Sequence, residues 1–378
     1  MLKFDVIVLG AGAMGSATCY TLAQMGKKVL LLEQFEIAHA KASTHGESRI
    51  FRFAYTNLAY AKLAFQCKEM WLKLEKDAQE KLLVTIGGID FAEDDQDHHN
   101  VLAVKNALQA LGSDWEELNH NQLTKRYPQF CFKESVEAVY SPDTGVINPT
   151  KAIKSMVQCA RKAGAIIADN EVVKEIIPSL DNVKVITNKN SYQANKLVIT
   201  SGAWTNKLLK YFNLNLPLQV SQEQTVYFRP LRNKNLFTSD KLPVWINYQK
   251  DIVYGIPCFD EIAMKIGFHH SCIYLDVDEY QQKPNDEITS NLREYLKKYI
   301  PDLAGESFGA TTCLYTTTPD HDFIVDLIPN YPNIAIATGF SGHGFKFAIG
   351  IGKALADLII HNKTDMKIEH LAINRFLT

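Results

Sequence analysis

The chain has 378 residues, of which 46% are hydrophobic and 22% charged, with a formal net charge of -2. That length exceeds one simple core and implies two domains. The near-neutral charge offers no basic field to nucleic acid or to an anionic membrane surface. No apolar run approaches the ~20 uncharged residues of a membrane span.

The first thirty-three residues organise the rest. Phe4-Asp5-Val6-Ile7-Val8-Leu9 reads as a buried strand. Gly10, Gly12 and Gly15 follow with the spacing G-x-G-x-x-G, then a helix over 16–25 with Gly26 as its C-terminal glycine. Lys28-Val29-Leu30-Leu31-Leu32 is a second buried strand that ends on Glu33. Gly10 permits the tight turn, Gly12 lets backbone approach a pyrophosphate, and Gly15 lets helix and strand pack closely. The helix N-terminus then presents free N–H groups to phosphate, and Glu33 stands where an acid accepts ribose hydroxyls. An ordinary glycine-rich strand–turn–helix unit is the alternative. The complete order of strand, glycines, helix, strand and acid favours a dinucleotide.

Residues 40–52 are polar and turn-like and hold His45, Arg49 and Arg52 close to this site. They read either as a solvated loop with a phosphate-binding arginine or as groups beside a cofactor's reactive ring. Residues 59–79 predict an amphipathic helix with Leu63, Phe65, Met70, Trp71 and Leu74 on its buried side. Residues 82–140 change character and start a second domain, and the turn at 140–147 leads back out. A helix over 149–163, a strand at 165–167 and a β-meander (172–177, 183–187, 191–193) follow. Lys196 to Trp204 is a second strand–glycine–helix unit. Residues 216–300 read as a mixed sheet plus a helix at 287–299. A buried strand at 333–338 then enters Gly339-Phe340-Ser341-Gly342-His343-Gly344 and a helix from Phe345 to Ile360.

The seven cysteines (Cys19, Cys67, Cys131, Cys159, Cys258, Cys272 and Cys313) show no C-x-x-C pair and no metal-ligand spacing. No metal and a reduced, cytoplasmic setting are therefore expected. The N-terminus enters a strand at once, which argues against a secretory signal, and 374–378 is not a peroxisomal tripeptide. Glycine units as distant as Gly202 and Gly342 favour a bulky dinucleotide, FAD, over a nicotinamide cofactor. A helix N-terminus at Gly344 would stabilise negative charge on a reduced flavin.

The motifs that carry a family resemblance are Gly10 to Gly15, Ser43 to Arg49 with Arg52, Ser201 to Trp204, Tyr254 to Pro257, Met264 to His269, Cys313 to Thr316, and Phe340 to Phe347. Over nearly its whole length the chain resembles the monomeric sarcosine oxidase and N-methyltryptophan oxidase family of the glycine oxidase and D-amino acid oxidase superfamily. The resemblance implies an α/β fold: a Rossmann-like FAD-binding domain of glutathione-reductase type (1–82, 145–215, 308–378) interleaved with a mixed-sheet α+β substrate domain (83–144, 216–307). It implies hydride transfer from a secondary amine or N-methyl amino acid to FAD, imine hydrolysis, and reduction of O2 to hydrogen peroxide, in a monomer. A flavin dehydrogenase using another acceptor remains the alternative.

The resemblance also assigns roles. FAD would be held by Gly10, Gly12, Met14, Gly15, Glu33, Ser43, Arg49, Val173, Gly202, Trp204, Gly342, Gly344 and Lys346, with a thioether to Cys313. Taken alone, Cys313 reads as a buried structural thiol. Lys265, His45, Arg49, Tyr254 and His269 would act in catalysis, and Arg52 with Lys346 would clamp the substrate carboxylate. Tyr315 and Trp245 complete the substrate set. The chain departs from the family at Thr44, where a histidine is usual, and over Phe53 to Leu58. Phe53 and Trp245 together suggest an apolar wall that favours substrates larger than sarcosine.

Overall fold

The computed structural model describes residues 2–271 and 273–377; Met1, Cys272 and Thr378 lie outside them. Leu2–Leu9 is the central strand of a parallel set. Val29–Leu32 pairs with it on one side and Ser191–Ile199 on the other. Ile166–Ala168 and Tyr331–Thr338 extend the set at its flanks. Strands covered on both faces require continuous apolar runs, and Val29–Leu32 is buried at every position. The helices Pro149–Lys162 and Ala348–His361 pack against the first helix, Ala13–Gln24. That helix closes where expected, with Gly26 at φ +72° just past its end.

Two expectations change here. The third meander strand and the buried strand after Lys196 are one strand, Ser191–Ile199. Its first half pairs with Val183–Thr187 and its second half with Tyr331–Thr338. Asn195 and Lys196 break the apolar run, but the backbone keeps its ladder to Leu2–Leu9 on the other side. The helix Leu58–Ala78 is capped by Asn57 and buries Tyr60, Leu63, Ala64, Cys67, Trp71 and Leu74. Phe65 falls off that stripe and is 46% exposed.

All five parallel strands end at one edge. Gly10, Glu33, Thr200 to Gly202, and Gly339 onward therefore emerge side by side, the place where open α/β sheets bind ligands.

A second sheet faces this edge. Its strands lie in the order Glu116–Leu118, Glu137–Ser141, Gly88–Ala92, Val244–Tyr248, Val253–Pro257, Met264–Phe268, Gln219–Phe228 and Ser307–Thr317. Side chains alternate between the two faces of a strand. Thr225, Tyr227, Ile246, Tyr248, Tyr254, Ile256, Lys265, Thr311, Cys313 and Tyr315 share the face toward the parallel sheet. Their neighbours Val226, Phe228, Val253, Met264 and Ile266 pack with Leu292, Tyr295 and Leu296 of the helix Asp286–Tyr299.

Trp245 belongs to this second group, which corrects its assignment to the substrate pocket. It is fully buried, stacked on Tyr295 at 6.1 Å and edge-on to Phe130 at 5.6 Å. One step of strand parity separates it from Ile246, which does face the cleft. Phe53 is also fully buried, against Phe51 and Phe65, and does not face the cleft. Trp245→Ala should therefore act on stability, at about 3–5 kcal/mol as for other large buried aromatics. A shift of the denaturant midpoint tests this, with ligand affinity of the folded protein little changed.

Candidate active site

A cleft of about 790 Å³ lies between the strand ends and the second sheet. At one end stands the glycine loop. Gly10 has φ +96°, and a Cβ there would meet the Thr200 carbonyl oxygen at 2.6 Å. A Cβ on Gly15 would run into the Gly10 carbonyl, so this glycine serves helix–strand packing behind the cleft. Gly12 differs: a Cβ there meets nothing within 4 Å, which leaves an open backbone surface facing the cleft. Glu33 is buried, and its carboxylate accepts from Ala11 N at 2.8 Å and Phe35 N at 3.0 Å. It therefore fixes the loop as well as presenting its carboxylate to the cleft. Met14, Ser43, Val173, Gly202 and Trp204 line the same end.

Four polar groups gather in the middle. Arg49 donates to the carbonyls of Ser48 (2.9 Å) and Ser43 (3.0 Å). Lys265 Nζ donates to the same Ser48 carbonyl at 3.0 Å. Lys265 lies on an interior strand and is 4% exposed, so it is no edge residue facing water. Burial, then Arg49, pushes it down to about 7. His45 is pushed down to about 4 by burial and by the same cations, and its Nε2 has no partner. Cys313 stands directly across the ladder from the buried Glu223. Burial raises its thiol, and Arg49 and Lys265 pull it back. The cations thus act in the expected direction but are outweighed by desolvation.

The far end holds Arg52 and Lys346. Arg52 Nη1 pairs with buried Asp90 and lies 3.0 Å from Tyr248 Oη, which itself donates to Asp90 at 3.0 Å. Its guanidinium keeps its proton, while burial lifts the Asp90 carboxyl against the pull of Arg52. Lys346 Nζ donates to Tyr55 Oη at 2.7 Å and to the His343 carbonyl at 2.9 Å. Trp71 Nε1 holds the Lys346 carbonyl at 2.8 Å and so anchors the segment. The expected helix start is corrected: Phe345–Phe347 is a 3₁₀ turn, and the helix proper is Ala348–His361. Gly342 (φ +80°) passes close beneath the Tyr315 ring, and Gly344 beneath Phe340. His269 is pushed down to about 3 by burial and nearby cations, and Tyr254 is pushed up by burial.

Every site residue expected from sequence therefore lines one continuous cleft, except Gly15 behind it, Trp245 in the second core, and Phe53 packed against Phe51 and Phe65. Sequence reasoning missed Tyr55, Asp90 and Glu223 and gave Tyr248 no role of its own. Tyr248 was accessible from strand parity with Tyr254. Asp90 carries no local signal, since it meets Arg52 only through tertiary pairing.

A dinucleotide fits these residues: the Gly12 surface is open, and a buried, partnerless His45 nitrogen borders the same cleft. A family model described as FAD dependent oxidoreductase matches residues 5–358. The chain is 36% identical to monomeric sarcosine oxidase from Bacillus sp. (strain B-0618), over 98% of this chain and 96% of the relative. It is 33% identical to peroxisomal sarcosine oxidase from Homo sapiens, over 99% and 96%. Its fold matches L-proline dehydrogenase from P. horikoshii with a TM-score of 0.86 at 22% identity, over 99% of this chain and 98% of that one. A glycine loop on the edge of a parallel sheet, with a mixed sheet closing over it, is thus the flavin-binding arrangement, and the chain belongs to the FAD dependent oxidoreductase family.

Proposed function

We propose that the protein oxidises secondary amino acids, N-methyl or cyclic, with FAD as cofactor and dioxygen as final acceptor. The carrying observation is the polarity of the cleft: a dinucleotide cradle at one end, and two basic side chains, the largely buried Arg52 and the buried Lys346, at the other. The chain's segments in the parallel sheet hold the cofactor and those in the mixed sheet form the substrate side. When bound, FAD supplies a two-electron acceptor for the carbon beside the amine nitrogen. Arg52 and Lys346 hold the substrate carboxylate and so set which carbon faces the acceptor. Tyr55, Tyr248, Tyr254, Ile246 and Ile256 enclose the rest of the molecule with apolar surface tipped by hydroxyls. Burial keeps His269 neutral at working pH and available to accept a hydrogen bond. Cys19, Cys67, Cys131, Cys159 and Cys258 form no disulfides. They agree with a cytoplasmic setting, and the monomer reading follows the sarcosine oxidase relative, whose description is monomeric. A screen of secondary amino acids coupled to peroxide detection tests the reading. Turnover with an artificial acceptor but without peroxide would move it to a dehydrogenase.

Cys313 is proposed to carry the flavin through a thioether. Acid precipitation should leave yellow colour in the pellet, and Cys313→Ala should release it to the supernatant. All flavin in the supernatant of the parent protein would refute the link.

The clamp makes a paired prediction. Arg52→Met leaves Asp90 buried without its partner, which should cost about 3–5 kcal/mol of stability. Adding Asp90→Leu should restore most of the stability and none of the carboxylate affinity. Denaturant midpoints and titration with a carboxylate inhibitor separate the two effects.

Lys265 is proposed to stabilise the anions formed as dioxygen is reduced. Its charged form is complete below its lowered value of about 7 and is lost as pH rises through it. Flavin reoxidation should therefore be fastest below pH 7 and slow above it. Lys265→Met should slow it ~10²-fold below pH 7, the scale for one preorganised charge, and by progressively less above pH 7, where the parent has lost the same charge. Stopped-flow measurement of the two half-reactions checks both statements, with anaerobic reduction changing much less.

A further inference from the structure

We propose that a carboxylate entering this cleft brings a proton with it, taken up at Lys346 Nζ. The inference rests on the carboxylate reading given above.

The argument is one of charge balance. Among the described residues, Arg52 and Lys346 are the two basic side chains placed at the substrate end, and they are not equivalent. Arg52 already has a buried counterion in Asp90. Lys346 is 7% exposed, and its two acceptors, the Tyr55 hydroxyl and the His343 carbonyl, are neutral oxygens. A buried ammonium without an anion is costly, and the group sheds its proton instead.

Asp322, on the turn after Thr318, lines the same cleft but engages Tyr60 and forms no ion pair with Lys346. The groups next to Lys346 supply no negative charge. Tyr55, on the segment before the helix Leu58–Ala78, is pushed up by burial and stays a phenol. Tyr60 and Cys67, on that helix, are pushed up too, Cys67 to about 12. His269, at the end of the strand Met264–Phe268, and His343, on the Lys346 segment itself, are pushed down and stay neutral. Tyr248, on the second sheet, is a phenol bonded within the Arg52–Asp90 pair. Burial and Arg52 both push Lys346 down.

A carboxylate changes this. It is the missing counterion, and it favours the ammonium form of Lys346. One N–H bond forms at Nζ as the bond to the donor breaks. An amino acid carries such a proton on its own ammonium group. Oxidation beside nitrogen needs that proton removed, so the same uptake serves both ends of the substrate.

The test is calorimetric titration of the flavin-loaded protein with propionate at pH 8, in phosphate and in Tris. The two buffers differ in protonation enthalpy, so the difference in heat counts protons. We expect uptake of more than half a proton per site in the parent. Lys346→Arg, whose side chain remains charged, should bind propionate with less than a tenth of a proton taken up. Propionate binding without uptake in the parent overturns the inference and leaves the carboxylate reading standing. Uptake that persists in Lys346→Arg overturns it as well and assigns the proton to a neighbour such as His269. A parent protein that binds no propionate at any concentration up to solubility refutes the carboxylate reading and this inference with it.

Discussion

The site depends on gathering basic side chains in a dry cleft with few counterions. Arg49, Arg52, Lys265 and Lys346 all face it, and of these four only Arg52 is ion-paired, to Asp90. The others rest on backbone carbonyls and a phenol: Ser43 and Ser48 for Arg49, Ser48 for Lys265, Tyr55 and His343 for Lys346. Such an arrangement does not stabilise the fold. It is an incomplete electrostatic structure, and on the function proposed above the missing anions are pyrophosphate, substrate carboxylate and reduced oxygen. The depressed Lys265 and Lys346 and the fixed charge of Arg52 are then three answers to one cost, desolvation.

That cleft exists because two sheets meet edge to face. The parallel strands deliver turns and the dinucleotide cradle, and the mixed sheet delivers a flat wall of alternating side chains. Gly15 lying on the Gly10 carbonyl brings the first helix down onto the first strand, which sets where its N-terminus points. The wall is fixed by register. Tyr227 pairs with Lys265, Lys265 with Ile256, and Glu223 with Cys313, so a one-residue slip would remove every functional group at once.

Legibility followed the range of the interaction. The glycine loop, its two strands and its helix were readable because strand, turn and helix signals within thirty-three residues agree with one another. The helix Asp286–Tyr299 and the final helix were readable for the same local reason. The unity of Ser191–Ile199 was not, because a polar pair interrupts the apolar run and only pairing with three other strands keeps it extended. The 3₁₀ turn before Ala348 was also hidden. Its carbonyls are engaged by side chains of the helix Leu58–Ala78, 280 residues earlier in the case of Cys67 to Phe347. Among site residues, those carried by the family motifs reached the cleft, apart from Gly15, which packs the first helix behind it. Trp245, placed there as a large aromatic near them, did not.

The Trp245 error changes the chemistry expected of the pocket. An indole and Phe53 would have made one wall purely apolar, selecting by size and shape alone. With Trp245 against Tyr295 and Phe53 against Phe51, that wall is made instead by Tyr55, Tyr248 and Tyr254 with Ile246 and Ile256. Two of these phenols also touch the charged groups: Tyr248 bonds Arg52 and Asp90, and Tyr55 bonds Lys346. Two of the wall's phenols are therefore hydrogen-bonded to its basic side chains, in two groups that meet where Arg52 lies over the Tyr55 ring. On the function proposed above, a substrate that crowds Tyr55 or Tyr248 displaces an acceptor of Lys346 or a partner of Arg52. Size selectivity would then be coupled to carboxylate binding, in a way that an inert aromatic wall would not impose.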